Sequence, residues 1–134
     1  MNLPAQFIVV DDDPINNMVC KYVIANVAPA ASIQLFTDPE KALSSIKETF
    51  SESTAYGETV LFLDINMPTM SGWEFLNEVS LFPGEVRSQI DIYILSSSID
   101  PEDIKSAEEH PLVQGYYSKP LSKEVFGKIY TKSE

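Results

Sequence analysis

The sequence predicts an α/β fold, a single doubly wound (βα)5 domain with one parallel five-stranded sheet, covered by helices on both faces. Three observations carry this reading. Short apolar runs, FIVV (7–10), SIQLF (32–36), VLFL (60–63), IYIL (92–95) and GYY (115–117), recur at intervals of roughly 20 to 30 residues. Each is too short for a buried helix and rich in β-branched or aromatic types, so each reads as a strand. Helical patterns fill the intervals, and three of them open on the same dipeptide, Asp13-Pro14, Asp38-Pro39 and Asp100-Pro101. Strands alternating with helices, and apolar throughout their length, belong in a parallel sheet buried on both sides.

Taken in order, the first strand runs into Asp11, Asp12 and Asp13. Asp13 is read as the N-cap of the first helix: its carboxylate accepts orphan amide protons, while Pro14 gives up an N–H that had no partner. In that helix Ile15, Val19, Val23 and Val27 fall four apart and predict an inward stripe. The second strand leads to the Asp38-Pro39 start. The polar, Gly-containing SESTAYGE (51–58) is expected to be a surface loop. The third strand ends at Asp64, and LFPGEVRSQ (81–89), with its Pro-Gly break, is expected to be a second surface loop. The fourth strand ends at Ser96. Beyond it the Asp100-Pro101 helix carries Glu102, Asp103, Glu108 and Glu109 on a solvated face. The fifth strand ends at Lys119, and the last helix opens at Ser122, with Glu124 and a Val125, Ile129 stripe behind it.

A chain of 134 residues suits one domain, 1–134, that buries roughly two-thirds of its unfolded surface. With 44% hydrophobic and 22% charged residues it has the balance of a soluble globule. MNLPAQF lacks a basic leader and no apolar run approaches the ~18 residues of a membrane span, so a cytoplasmic protein without a membrane partner is expected. One cysteine, Cys20, excludes an internal disulfide and a cysteine-based zinc cage. Twenty acidic against nine basic residues give a net charge of −11. That charge repels a phosphate backbone and leaves no basic stripe, which argues against nucleic-acid binding.

Open parallel sheets bind ligands beyond the C-terminal strand ends. In a doubly wound sheet of order 2-1-3-4-5, strands 1 and 3 are neighbours, which brings Asp11, Asp12 and Asp64 into one pocket. Like charges that close resist ionisation unless a cation intervenes. A hard divalent ion with oxygen ligands, most simply Mg²⁺, resolves the conflict.

The combination VVDDDP (9–14), FLDINMPTMSGWEFL (62–76), ILSSS (94–98) and GYYSKP (115–120), in this order and spacing, resembles the receiver domain of two-component response regulators, of chemotaxis-regulator type. The resemblance covers essentially the whole chain and implies a flavodoxin-like fold. It implies that Asp64 is the phosphoacceptor, taking a phosphoryl group from a phosphohistidine as a carboxylate nucleophile. Asp12 matches the direct Mg²⁺ ligand, Asp11 its companion, and Asn66 lends a backbone carbonyl. Lys119 matches the lysine that pairs with Asp64 and then with the phosphate. Ser96 stands where the family has Thr or Ser, and Tyr116 at its aromatic switch position. Pro120 completes a Lys-Pro pair that is often cis, and Pro68 and Gly72 shape the loop after Asp64, Gly72 through access to φ > 0. Asn66 and Ser98 occupy positions that tune phosphate hydrolysis. Serine at 96 keeps the hydroxyl and drops a methyl that would stiffen the rotamer, so switching is expected to be looser.

The implied protein is a stand-alone signalling receiver, not an enzyme acting on outside substrates. Its partners are a sensor histidine kinase or histidine phosphotransfer protein and a downstream effector, met by the surface of the 101-helix, strand 5 and the last helix. Two other classes compete: a phosphate-independent interaction module on the same fold, and a Mg²⁺-dependent phosphohydrolase of the haloacid-dehalogenase type. The latter wants a second Asp two positions on as acid/base, where this chain has Asn66. Local readings are plainer: Cys20 as a small apolar helix residue, His110 as an exposed residue near a helix end, and Met67, Met70 and Trp73 as packing.

Overall fold

A computed structural model describes residues 4–52, 58–97 and 100–131 of the chain. The elements run β1 (Gln6–Val10), α1 (Pro14–Val27), β2 (Ser32–Phe36), α2 (Pro39–Glu52), β3 (Thr59–Leu63), α3 (Gly72–Ser80), α4 (Gly84–Arg87), β4 (Ile90–Ser96), α5 (Pro101–Glu109), β5 (Val113–Ser118) and α6 (Lys123–Thr131). All strand pairs are parallel and the order is β2-β1-β3-β4-β5. This is the doubly wound sheet expected, with five strands.

Every residue of β1 and β3 is buried, and strand alternation deals them to two cores. Ile8, Val10, Leu61 and Leu63 meet Ala42 and Ile46 of α2, Phe75, Leu76 and Val79 of α3, and Ala107 of α5. Phe7, Val9, Val60 and Phe62 meet Cys20, Val23 and Ile24 of α1 and Phe126 and Ile129 of α6. A fully buried Leu or Phe contributes about 1.5–3 kcal/mol relative to exposure. Helices on both faces therefore follow from strands that are apolar on both sides.

The three Asp-Pro starts act as caps. Asp13 Oδ1 accepts from Ile15 N–H at 2.9 Å, Asp38 Oδ1 from Glu40 N–H at 2.9 Å and Asp100 Oδ1 from Glu102 N–H at 3.0 Å. Ser122 Oγ accepts from Val125 N–H at 3.2 Å and opens α6. The Lys119–Pro120 bond is cis.

Three expectations need correction. The stripe predicted on α1 does not face inward: Ile15 is 71% and Val19 37% exposed, and only Val23 of the four is buried. Asn16, Asn17, Cys20, Val23 and Ile24 turn in instead, because the two amides find hydrogen-bond partners at the end of β1 that offset their desolvation. The 81–89 segment contains the short helix α4, which buries Val86, with the Arg87 Nε–H donating to the Phe82 carbonyl at 3.0 Å. His110 is half-buried rather than exposed: it ends α5, accepts from Leu112 N–H at 3.2 Å and lies against Trp73. Of the 51–58 loop, residues 51 and 52 close α2 and residues 53–57 lie outside the described residues.

Candidate phosphoryl-acceptor and metal site

Three charged residues stand one step past a strand, each tied by its backbone to the strand alongside. Asp11 N–H donates to Phe36 O, Asp64 N–H to Val10 O and Lys119 N–H to Ser96 O, all at 3.0 Å. Because Val10 pairs with Leu63, the next residue of each strand, Asp11 and Asp64, lie side by side. Parallel register thus converts two distant sequence positions into one pocket.

Asp11, Asp12 and Asp64 each bring a carboxylate oxygen within 4.8 Å of the others. Asp11 and Asp64 are 1% and 4% exposed, while Asp12 stands open at the mouth. Lys119 Nζ lies 2.6 Å from Asp11 Oδ2 and 3.4 Å from Asp64 Oδ2, so one ammonium bridges both buried carboxylates. A groove of ≈ 260 Å³ lined by Asp12, Thr37, Asp38, Glu40, Pro68 and Thr69 adjoins it.

Negative charge is in surplus, and the proton affinities say so consistently. Burial, then the charge of Asp11, pushes the Asp64 carboxyl above its ordinary value, against the pull of Lys119 and the Asn66 N–H. Burial works against the Lys119 charge, yet Asp11 and Asp64 outweigh it and hold the ammonium above its usual value. Behind Asp11, burial and the Asp11 charge push the Cys20 thiol up to about 12. An all-oxygen donor set with too little positive charge suits a hard divalent cation such as Mg²⁺.

Of the other expected residues, Asn66 and Ser96 border this pocket and Tyr116 stands on β5 beyond it. Asn66 is exposed at its rim, with its N–H 3.4 Å from Asp64 Oδ1. Ser96 is fully buried as the last residue of β4, and its carbonyl holds Lys119. Tyr116 pairs across with Ile94 and packs, half-buried, on the core under α2, α3 and α5. It also lines a groove of ≈ 220 Å³ beside α5 with Glu108, Val113 and Gln114. Ser98 lies outside the described residues. Met67 is buried, and Met70 and Trp73 pack on the same core, so the packing reading holds.

Gly72 is needed for a reason other than the one expected. A Cβ there would sit 2.6 Å from Asp64 O and 2.8 Å from Ile65 Cα, so only glycine lets α3 start against the loop after β3. Ser71 fixes that start with a capping box: its Oγ accepts from Glu74 N–H and its N–H donates to Glu74, both at 3.1 Å. The motif was present as Ser-x-x-Glu but not singled out.

Sequence reasoning also missed Asn16 and Asn17. Asn16 Nδ2 donates to Asp11 Oδ2 at 2.7 Å; Asn17 Nδ2 donates to the carbonyls of Asp11 at 3.0 Å and Phe36 at 3.2 Å. Their signal was the spacing Asn16, Cys20, Val23, Ile24, a second helical stripe that lost to the more apolar one.

A family model described as the response regulator receiver domain matches residues 7–130. Among solved structures, a two-component response regulator from Cytophaga hutchinsonii is 27% identical, with 98% of this chain and 97% of that one covered and a TM-score of 0.86. A receiver protein from Dyadobacter fermentans is 25% identical over 95% of each chain, with a TM-score of 0.84. The Vibrio cholerae chemotaxis protein CheY4, 20% identical over 97% of this chain and 98% of that one, shares the fold with a TM-score of 0.73. No curated protein matches. The family match over residues 7–130, on a parallel sheet of order β2-β1-β3-β4-β5, shows that this chain belongs to the response regulator receiver domains of two-component signalling.

Proposed function

We propose that the chain is a phospho-accepting receiver whose nucleophile is Asp64, and that residues 1–134 act as one signalling domain in the cytoplasm. The observation that carries this is the convergence of Asp11, Asp12 and Asp64 with Lys119 bridging two of them. An Asp64 carboxylate oxygen attacks phosphorus of a partner's phosphohistidine. The P–N bond breaks, and its electron pair returns to the imidazole, which takes up a proton. Asp11, Asp12 and Asp64, with the Asn66 carbonyl, would hold Mg²⁺, whose charge offsets that developing on the transferring phosphoryl oxygens. Lys119 follows the charge from Asp64 to the phosphoryl group. Ser96 donates its hydroxyl to a phosphoryl oxygen, and Tyr116 moves toward the space this frees, altering the α5–β5–α6 surface that an effector reads.

The outer face of α1 supports a protein donor. Ile15, Met18 and Tyr22 are 71%, 69% and 70% exposed on a helix whose first residue is Pro14, next to the site carboxylates. A phosphohistidine protein that reaches Asp64 must cover this rim, and it gains apolar contact there. Two observations count against phosphohydrolase chemistry: Asn66 is no acid/base, and its backbone N–H is what approaches Asp64.

The test is labelling by a small phosphodonor with Mg²⁺, read by intact mass and sensitivity to hydroxylamine. Wild type should gain one phosphoryl group and Asp64→Asn none, with both proteins folded. Ser96→Ala should still be labelled, while amide shifts in α5 and β5 respond to phosphate much less than in wild type. Equal adduct yield in Asp64→Asn would refute the acceptor assignment, and equal shifts in Ser96→Ala the switch. No labelling of wild type would favour the phosphate-independent module, and multiple turnover of a phosphate ester the hydrolase.

A further inference from the structure

The Asp11 carboxylate is held by three donors of different kinds. Oδ1 accepts from the Asp13 backbone N–H at 2.9 Å, and Oδ2 from Asn16 Nδ2 at 2.7 Å and Lys119 Nζ at 2.6 Å. The lysine is a long side chain that also reaches Asp64, at 3.4 Å, and any cation entering the pocket competes with it for Asp11. Asn16 does not compete in this way. It is neutral, 9% exposed and carried on the first turn of α1. That turn is fastened to the strand ends by Asn17, whose amide bridges the carbonyls of Asp11 and Phe36. Asn17 is 2% exposed, and its Oδ1 is buried without a hydrogen-bond partner among the described residues. Asn17 thus fixes the first turn of α1, and Asn16 with it, against the end of β1.

We propose that Asn16 is a positioning residue for the metal site: its amide fixes Asp11 Oδ2 and leaves Lys119 as the exchangeable counter-charge. The proposal rests on the Mg²⁺-dependent acceptor role argued above. A carboxylate offers about four lone-pair directions. With one held by a neutral donor that never leaves, Asp11 keeps its orientation when Lys119 swings to Asp64 or to the phosphoryl group. Without Asn16, Oδ1 is still held by the Asp13 N–H, but Oδ2 is left with Lys119 alone, and cation binding must then fix Oδ2 as the lysine leaves. Partners that orient a ligand in this way typically change metal affinity by about 10- to 100-fold.

The test is Mg²⁺ affinity by calorimetry on the full chain for wild type, Asn16→Ala, Asn16→Leu, Asp11→Ala and the Asn16→Ala/Asp11→Ala pair, each checked for native fold by its amide spectrum. Asn16→Leu keeps the branched shape of the side chain beside Cys20 and removes the amide that donates to Asp11. Both Asn16 variants should bind Mg²⁺ about tenfold more weakly. On the Asp11→Ala background, Asn16→Ala should cost nothing further, because its route to the metal is gone. Affinity unchanged in Asn16→Leu, or losses that multiply in the double variant, would overturn the proposal while leaving the metal site in place. Wild type that binds no Mg²⁺ at all would overturn both.

Discussion

Helices α1 and α3 both spring from the carboxylate pocket, yet beside it their first turns are amphipathic in opposite senses. Helix α3 buries Phe75, Leu76 and Val79 and shows Glu74, Asn77, Glu78 and Ser80 to water. Helix α1 turns Asn16, Asn17 and Cys20 inward and presents Ile15, Met18 and Tyr22 outward. On α3 the core alone decides which residue faces where. On α1 the first turn is polar inside because it grips Asp11, before Cys20, Val23 and Ile24 join the core, and we read the outer face as apolar because a phosphodonor docks there. The difference separates a helix that supports the site by packing from one that serves its chemistry.

The largest effect that would break this comparison concerns the outer faces. Tyr22→Ala with Met18→Ala should slow phosphoryl transfer from a histidine phosphotransfer protein by about tenfold or more, the scale of losing apolar anchors at an interface. Labelling by a small phosphodonor should stay the same. Asn77→Ala with Glu78→Ala, both exposed on α3, should change neither rate beyond about twofold. Equal loss with both donors would mean that the outer face of α1 is structural.

A smaller effect concerns how α3 supports the site. Gly72→Ala must push the helix start away from Asp64 O, so it should destabilise by about 1–3 kcal/mol in chemical denaturation. Small-donor labelling should fall with it, because the loop that moves carries Asp64. A variant as stable as wild type would show that the approach is looser than its 2.6 Å implies.

The smallest effect is electrostatic. Asp12→Ala relieves repulsion at the pocket mouth, so it should raise the metal-free melting temperature by several °C, or about 1 kcal/mol, and cancel most of the gain that millimolar Mg²⁺ gives wild type. The pH dependence has a definite sign. Asp64 has its folded pKa raised, so its contribution to stability is fully present below the ordinary carboxylate value, ~3.9. It is lost as pH rises through the higher folded value. Metal-free wild type should therefore carry a downward contribution to stability on the way to neutral pH that Asp64→Asn lacks. A metal-free Asp12→Ala that melts lower, yet responds fully to Mg²⁺, would make that residue structural.

The fold was legible because its signals are local and repeated: five apolar runs, and three Asp-Pro starts whose carboxylates cap where expected. The carboxylate pocket was legible because parallel order turns strand-end positions into neighbours. The azimuth of α1 was not. Two stripes of helical spacing compete there, and apolarity favours Ile15 and Val19 until the partners of Asn16 and Asn17 at the end of β1 are known. Gly72 was noticed for backbone freedom, while its use is a close approach between chain segments that no local pattern encodes. Helix α4, only four residues long, opens on a Pro-Gly pair, Pro83 as N-cap and Gly84 as first residue, that reads equally well as a turn.

The central claim, that the strand-end pocket accepts a phosphoryl group on Asp64, has one most direct measurement. After incubation with a small phosphodonor, borohydride reduces an aspartyl phosphate to homoserine, and peptide mass mapping then locates it. The account predicts homoserine at position 64 in wild type with Mg²⁺, and none there when EDTA replaces the metal. Homoserine at another aspartate, or an unmodified position 64 after incubation with Mg²⁺, would contradict it.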